Sequence, residues 1–368
     1  MKKLFLLALP LALGACTPES TSGGDTTTTT TTSATVKTDE EYKTEAVDGM
    51  HAALLVDIQG MRAAAEKIQA TIPTPADRGW DAKLDADAIE KSRAAWVEAR
   101  TSYEHVEGAL ASLFPAIDTA IDARYDDFMT LLAADGGDQD LFDDQGVTGM
   151  HAIERILYAD QIPQHVVDFE ATLPGYVPAA FPADAAQAAE MKSKLCQKLI
   201  DDAKTLEEQW TPANIHVALA YHGLVALVTE QREKVNKASS FEEESRYSQR
   251  TMADLRDNLT GTRTAYAFFQ PWILSKTDAK DPAKDGPTID AKILKGLDAL
   301  DTAYSKVNGD AIPAPPDTWS AESPSAADLE TPFGQLYTVV QDAVDPALPD
   351  SVTAQMDLAA ALLGFPQI

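Results

Sequence analysis

The chain has 368 residues, with 58 Asp and Glu against 30 Lys and Arg and a formal net charge of −28. That balance argues against nucleic acid or an anionic membrane surface as partner and suits cations. Two cysteines are too few for a disulfide scaffold, and the length allows one large or two ordinary domains.

The first predicted element is a leader. Residues 1–16 read MKKLFLLALPLALGAC, with Lys2 and Lys3 before an apolar run and small residues before a cysteine. Residues 1–15 have the form of a secretory signal peptide, too short and wrongly flanked for a membrane span. Leu13-Gly14-Ala15 before Cys16 resembles a bacterial lipobox, in which Cys16 is lipidated and becomes the mature N-terminus; a plain signal peptide containing a cysteine is the alternative. Loss of Lys2 and Lys3 takes the net charge from −28 to −30. Residues 16–38 form a Thr-rich polar tether that cannot bury a core. The expected location is the bacterial cell envelope, anchored on a periplasmic or surface face; Thr17 after the cysteine resembles outer-membrane sorting. With Cys16 lipidated, Cys196 stands alone, and its setting in EMKSKLCQKLI predicts a packed small residue.

From residue 39 onward the pattern is helical, with no period-two strand. Thr38 and Glu41 form a capping-box pattern. Leu54, Ile58, Met61, Ala65 and Ile68 follow as a core stripe. TIPTPADRGW is a loop, and a second helix runs from about Asp85 to Leu113, halting at Phe114-Pro115. The next acidic run, FPAIDTAIDARYDDF, places Asp118, Asp122 and Asp126 at i, i+4 and i+8, along one side of a single helix. A short helix opens near Val147. Residues 159–184 look irregular, and helices are predicted near 183–208, 212–238, 243–270, 288–306, 325–343 and 351–363. Helix after helix with Pro and Gly punctuation implies an all-α bundle, with a boundary near 180–210.

Two faces carry chemistry. On the second helix, Ala95, Ala99, Ser102, Val106, Leu110 and Leu113 fill a packing arc. Beside it lie Trp96, Arg100, Tyr103, Glu104 and Glu107, a partly buried edge whose carboxylates need partners. In GMHAIERILY, His151, Glu154 and Tyr158 share one helical face, with Ile153, Ile156 and Leu157 opposite. A bundle interior can hold a metal where facing helices project carboxylates and imidazoles inward. His-x-x-Glu alone is a weak signal; the upstream carboxylates Glu104, Glu107, Asp122 and Asp126 strengthen it.

ARTSYEHVEGALASLFPAIDTAIDARYDDF followed by GVTGMHAIERILY resembles the imelysin-like family, marked by a Gly-x-His-x-x-Glu motif, and within it the EfeO-like iron-uptake branch. EEESRYSQRTMADLRDNLTGT resembles the C-terminal half of that branch, so the likeness spans roughly residues 40–270. It implies two helical-bundle halves, approximately 39–205 and 206–368, with the site at their junction. It points to His151 and Glu154 as metal ligands, with Glu104 and Asp122 as co-ligands and Glu243 or Glu244 closing the site. Arg100, Tyr103, Glu107 and Asp126 would surround the ligands, and Tyr247, Asp254 and Asn258 would support them. Gln249 stands where that branch has histidine, and Thr260 replaces an acidic residue before Gly261.

The resemblance implies binding of a metal ion or metal chelate, iron as Fe2+ or Fe3+, in uptake or handling, with transport left to envelope partners. An oxygen-rich site with one imidazole suits iron, manganese or calcium better than catalytic zinc, although zinc stays open. The alternatives are a metal-dependent peptidase using the same residues, and a surface interaction module whose site is vestigial. There is no HExxH, no Gly-x-Ser-x-Gly elbow, and no base evident beside Cys196.

Overall fold

The computed structural model describes residues 37–367; the leader, Cys16 and most of the tether lie outside the described residues. Thr38 opens α1 (Asp39–Thr71) with the capping box anticipated: its hydroxyl accepts the Glu41 N–H, and the Glu41 carboxylate accepts the Thr38 N–H. The stripe from Leu54 to Ile68 is buried. Along α1 runs α2 (Ala86–Leu113), the spine of the fold, which also packs on α9 (Val217–Lys237) and α10 (Thr251–Leu274).

The elements between are shorter: α3 (Pro115–Asp122), α4 (Tyr125–Leu132), α5 (Gly149–Leu157), α6 (Gln164–Glu170) and α7 (Ala185–Glu190), which runs through a π-turn at Met191–Leu195 into α8 (Cys196–Gln209). α8 lies on α1, and α3 and α5 cross α2. An outer layer of α11 (Gly286–Ser305), α13 (Pro332–Val344) and α14 (Val352–Leu362) covers α9 and α10, with the short α12 (Ala326–Leu329) packed on α13. No strand occurs among the described residues, so the all-α class holds. Among the described residues, no helix is long and apolar enough to cross a membrane. Cys196 is packed in the core, where burial pushes its thiol up to about 12.

Three sequence expectations are corrected. The acidic run is not one helix: Ala123 and Arg124 are extended, and Asp127 caps α4 by accepting the Arg124 N–H at 3.0 Å. Asp126 therefore leaves the side shared by Asp118 and Asp122. The predicted helix from 243 begins only at Thr251, because Phe241 and Gln249 take left-handed backbone, φ 64° and 57°, and fold the segment between them into turns. That helix then continues through Pro271 to Leu274. Pro271 lies in its last turn, so the bond it removes is followed by only three more helical residues. The segment 159–184 contains one short helix, α6.

Candidate metal centre

Gly149 begins α5 with φ 88°, and its Cα faces the carbonyl of Ile121, 2.6 Å from where a side chain would start. Only glycine lets the motif helix dock so closely on α3, and that contact sets His151 beside Asp122. Every residue of α5 is buried, so it has no solvent face. The second half of the pattern, Tyr158, stacks edge-on against Trp96 rather than joining the site.

His151 is held from behind. Its Nδ1 lies 2.8 Å from Glu154 Oε2, and Glu154 Oε1 accepts the Ser248 N–H at 2.8 Å. Because a carboxylate only accepts, Nδ1 carries a hydrogen. Nε2 then points forward, 3.4 Å from Asp122 Oδ1 but outside hydrogen-bond geometry, and is buried without a partner. Burial and Arg100 push the imidazole pKa down; Asp122 and Glu154 outweigh them and raise it to about 9. A metal at Nε2 has to displace that proton.

Asp122, His151 and Glu244 offer ligand atoms all within 4.8 Å of one another, and Glu104, Glu244 and Asp254 form a second such group sharing Glu244. Arg100 lies between them. It pairs with Glu104 and Asp122, reaches Glu244 at 3.2 Å and Asp254 at 3.6 Å, and is 1% exposed. Lys234 on α9 pairs with both oxygens of Glu107 at 3.0 Å, with Asn258 at 3.1 Å and with Glu244 at 3.1 Å. Asn258 also donates to the Glu104 and Glu107 carboxylates. Five carboxylates thus share two buried cations. Burial pushes Glu104 well above the ordinary carboxylate range, only partly offset by Arg100. Burial acts the same way on Glu244, but Lys234 and Arg100 overcome it and hold the group low.

Of the residues anticipated from sequence, His151, Glu104, Asp122, Glu244, Asp254 and Arg100 meet at the centre. Glu107 and Asn258 adjoin it through Lys234, and Tyr103 adjoins through Asp118, to which it donates at 2.6 Å. Glu154 is behind His151, not at the cluster. Glu243 turns the other way, toward a cavity walled by His165, Phe241, Gln249 and Trp319, since neighbours in a turn point apart. Asp126 pairs with Arg246 at 2.5 Å, and Tyr247 bonds to Glu170, which is held by Arg155; neither reaches the cluster. Lys234 was missed, although it sits in register with the buried stripe Leu224, Leu227 and Gln231, where a lysine needs a buried partner.

A cleft of about 440 Å³ opens onto this centre. Glu244, Glu107 and Lys234 form its buried part, Asp122 is half-buried beside them, and Asp127, Glu233, Arg124 and Lys237 lie toward solvent. The donor set, one imidazole nitrogen and carboxylate oxygens at the end of an acidic cleft, fits a multivalent cation.

The family model described as imelysin (peptidase M75) matches residues 50–318, a span that contains every residue of the centre. This chain belongs to the imelysin family. Curated relatives of this imelysin-family chain include the "Iron uptake system component EfeO" of Escherichia coli strain K12 and that of Shigella flexneri, each 24% identical over 223 residues. The EfeO of Escherichia coli O1:K1 is 23% identical over the same length. These alignments cover 61% of this chain and 46% of each relative, so the chain spans about half the length of the curated relatives it matches. Among solved structures, a putative iron-regulated protein A precursor from Parabacteroides distasonis superposes with a TM-score of 0.54 at 12% identity, covering 90% of this chain and 97% of that one. This likeness is one of fold.

Proposed function

We propose that this protein binds a metal ion, iron above all, for uptake or handling in the bacterial cell envelope, anchored through a lipid on Cys16. The observation that carries the reading is His151 Nε2: buried, without an aligned hydrogen bond, 3.4 Å from Asp122 Oδ1 and grouped with Asp122 and Glu244 within 4.8 Å, while Nδ1 is fixed by Glu154. On this reading His151, Asp122 and Glu244 are the ligands, with Glu104 and Asp254 next to them, and Glu154 positions the imidazole. The ligands come from α3 and α5 on one side and the 243–250 turn on the other, with Glu104 from α2 and Asp254 from α10 beside them, which supports a site at the junction of the two proposed halves. The names of the curated relatives support iron as the metal and a transport system as partner.

The peptidase alternative is less well supported. Glu154 would be its general base, yet both its oxygens are engaged, by His151 and by the Ser248 N–H. The test is elemental analysis of the isolated protein with Fe2+ titration under anaerobic conditions. Near-stoichiometric iron that is lost in His151→Ala bears the proposal out; binding unchanged in His151→Ala and Asp122→Asn overturns it.

A further inference from the structure

The two buried cations of the centre are bound differently. Lys234 is locked: it makes hydrogen bonds to both oxygens of Glu107 and to Asn258. Arg100 is surrounded by charge but not held edge to edge by one carboxylate: Nη2 is shared by Glu104 and Glu244, Nη1 goes to Asp122, and Nε lies 3.6 Å from Asp254. A guanidinium offers five donors in a rigid plane and holds best when paired edge to edge with a carboxylate. Here its charge is spread over Glu104, Asp122, Glu244 and Asp254.

Two of those partners, Asp122 and Glu244, are also both carboxylates of the group that includes His151. A cation bound at His151 Nε2 therefore draws on oxygens that Arg100 already uses, and its charge stands close to a fixed positive charge of the same sign.

We infer that Arg100 is a tethered competitor for the cation, a residue that lowers affinity and restricts the site to multivalent ions. The inference rests on the metal-binding reading above. A monovalent ion gains no more from Asp122 and Glu244 than the guanidinium does and cannot displace it. An ion of charge two or more gains from the same oxygens and from the imidazole, and takes them. Arg100 is thus the exchange partner of the bound metal, while Lys234 holds Glu107 and Glu244 in position for either state.

The inference is tested by calorimetric titration of the full chain with Mn2+, a redox-stable probe, in the parent and in Arg100→Gln and Arg100→Lys. Arg100→Gln is expected to bind at least about tenfold more tightly, equal to ~1.4 kcal/mol. Arg100→Lys, which keeps the charge, is expected to stay within roughly threefold of the parent, about 0.6 kcal/mol. Equal or weaker binding in Arg100→Gln overturns the inference and, where the parent binds, leaves the metal reading standing. Binding by Arg100→Gln alone supports the inference, because it identifies the arginine as the block. Binding by neither overturns both. If Arg100→Gln does not fold, recovery of its helical circular dichroism on adding Mn2+ shows the metal replacing the guanidinium, and failure to recover overturns the inference.

Discussion

Glu154 and His151 stand one helical turn apart on α5 and are joined at 2.8 Å, so the glutamate fixes which ring nitrogen faces the cluster. In Glu154→Gln the amide can still accept from one donor but has to turn its NH2 toward the other, and the imidazole loses its anionic support. Metal affinity is expected to fall about 10- to 100-fold, the usual cost of losing such an outer partner. On the metal-binding reading, His151→Ala is expected to abolish binding outright. Calorimetric titration of both variants separates positioning from ligation.

Gly149→Ala places a methyl group 2.6 Å from the Ile121 carbonyl at a backbone angle that alanine rarely adopts. The strain is about 1–3 kcal/mol, relieved only by moving α5 off α3. Urea unfolding should show that loss, and metal affinity should fall with it because His151 moves from Asp122. A stable variant with normal binding would mean that the close approach is dispensable.

Burial, and then the charge of Asp122, raise the Asp118 carboxyl to about 7, against an ordinary value of 3.8, while the Tyr103 hydroxyl opposes them. The folded state holds this proton more tightly than the unfolded chain does. The stability it contributes is therefore full below about pH 4 and is lost as pH rises toward 7. Between pH 5 and pH 8 the parent should lose roughly 2 °C more in Tm than Asp118→Asn, which cannot ionise. Parallel melting curves across that range would rule this out.

Tyr247 donates to Glu170, whose carboxylate also pairs with Arg155 at 2.9 Å, in a buried network apart from the cluster. Tyr247→Phe should cost about 1.5–3 kcal/mol, the range for a hydrogen bond to a charged group. Metal titration should be unchanged. A loss of affinity equal to that of Glu154→Gln would return Tyr247 to the centre, where the family resemblance places it.

The long helices were legible because their periodicity is set by burial: the stripe from Leu54 to Ile68 and the mixed edge of α2 are both where the sequence puts them. The Gly-x-His-x-x-Glu motif puts His151 beside Asp122 and Glu244. What could not be read was the direction of side chains outside regular helix. The break after Asp122 depends on Asp127 capping from inside the next helix, a pattern that an uninterrupted i, i+4 spacing conceals. The opposite fates of Glu243 and Glu244 depend on two left-handed residues, Phe241 and Gln249, neither of which is the glycine that usually marks such a turn. Lys234 was visible only as a charge in an apolar stripe, and what it pairs with is fixed by tertiary packing.

α2 carries Arg100, Glu104 and Glu107 into the centre while its other face packs on α1, and it also lies against α9 and α10. Changes along this helix are therefore judged first by folding. The turn from 243 to 250 anchors the fold through Arg246 and Tyr247, which pair with Asp126 and Glu170, but its last three residues are only partly buried, and it supplies Glu244 and the N–H that holds Glu154. On the proposed metal-binding reading, redesign for a different ion is consequently a problem of loop engineering: the spine can be kept as a constant chassis, and variation at Glu244 and the partly buried positions 248–250 is where to begin.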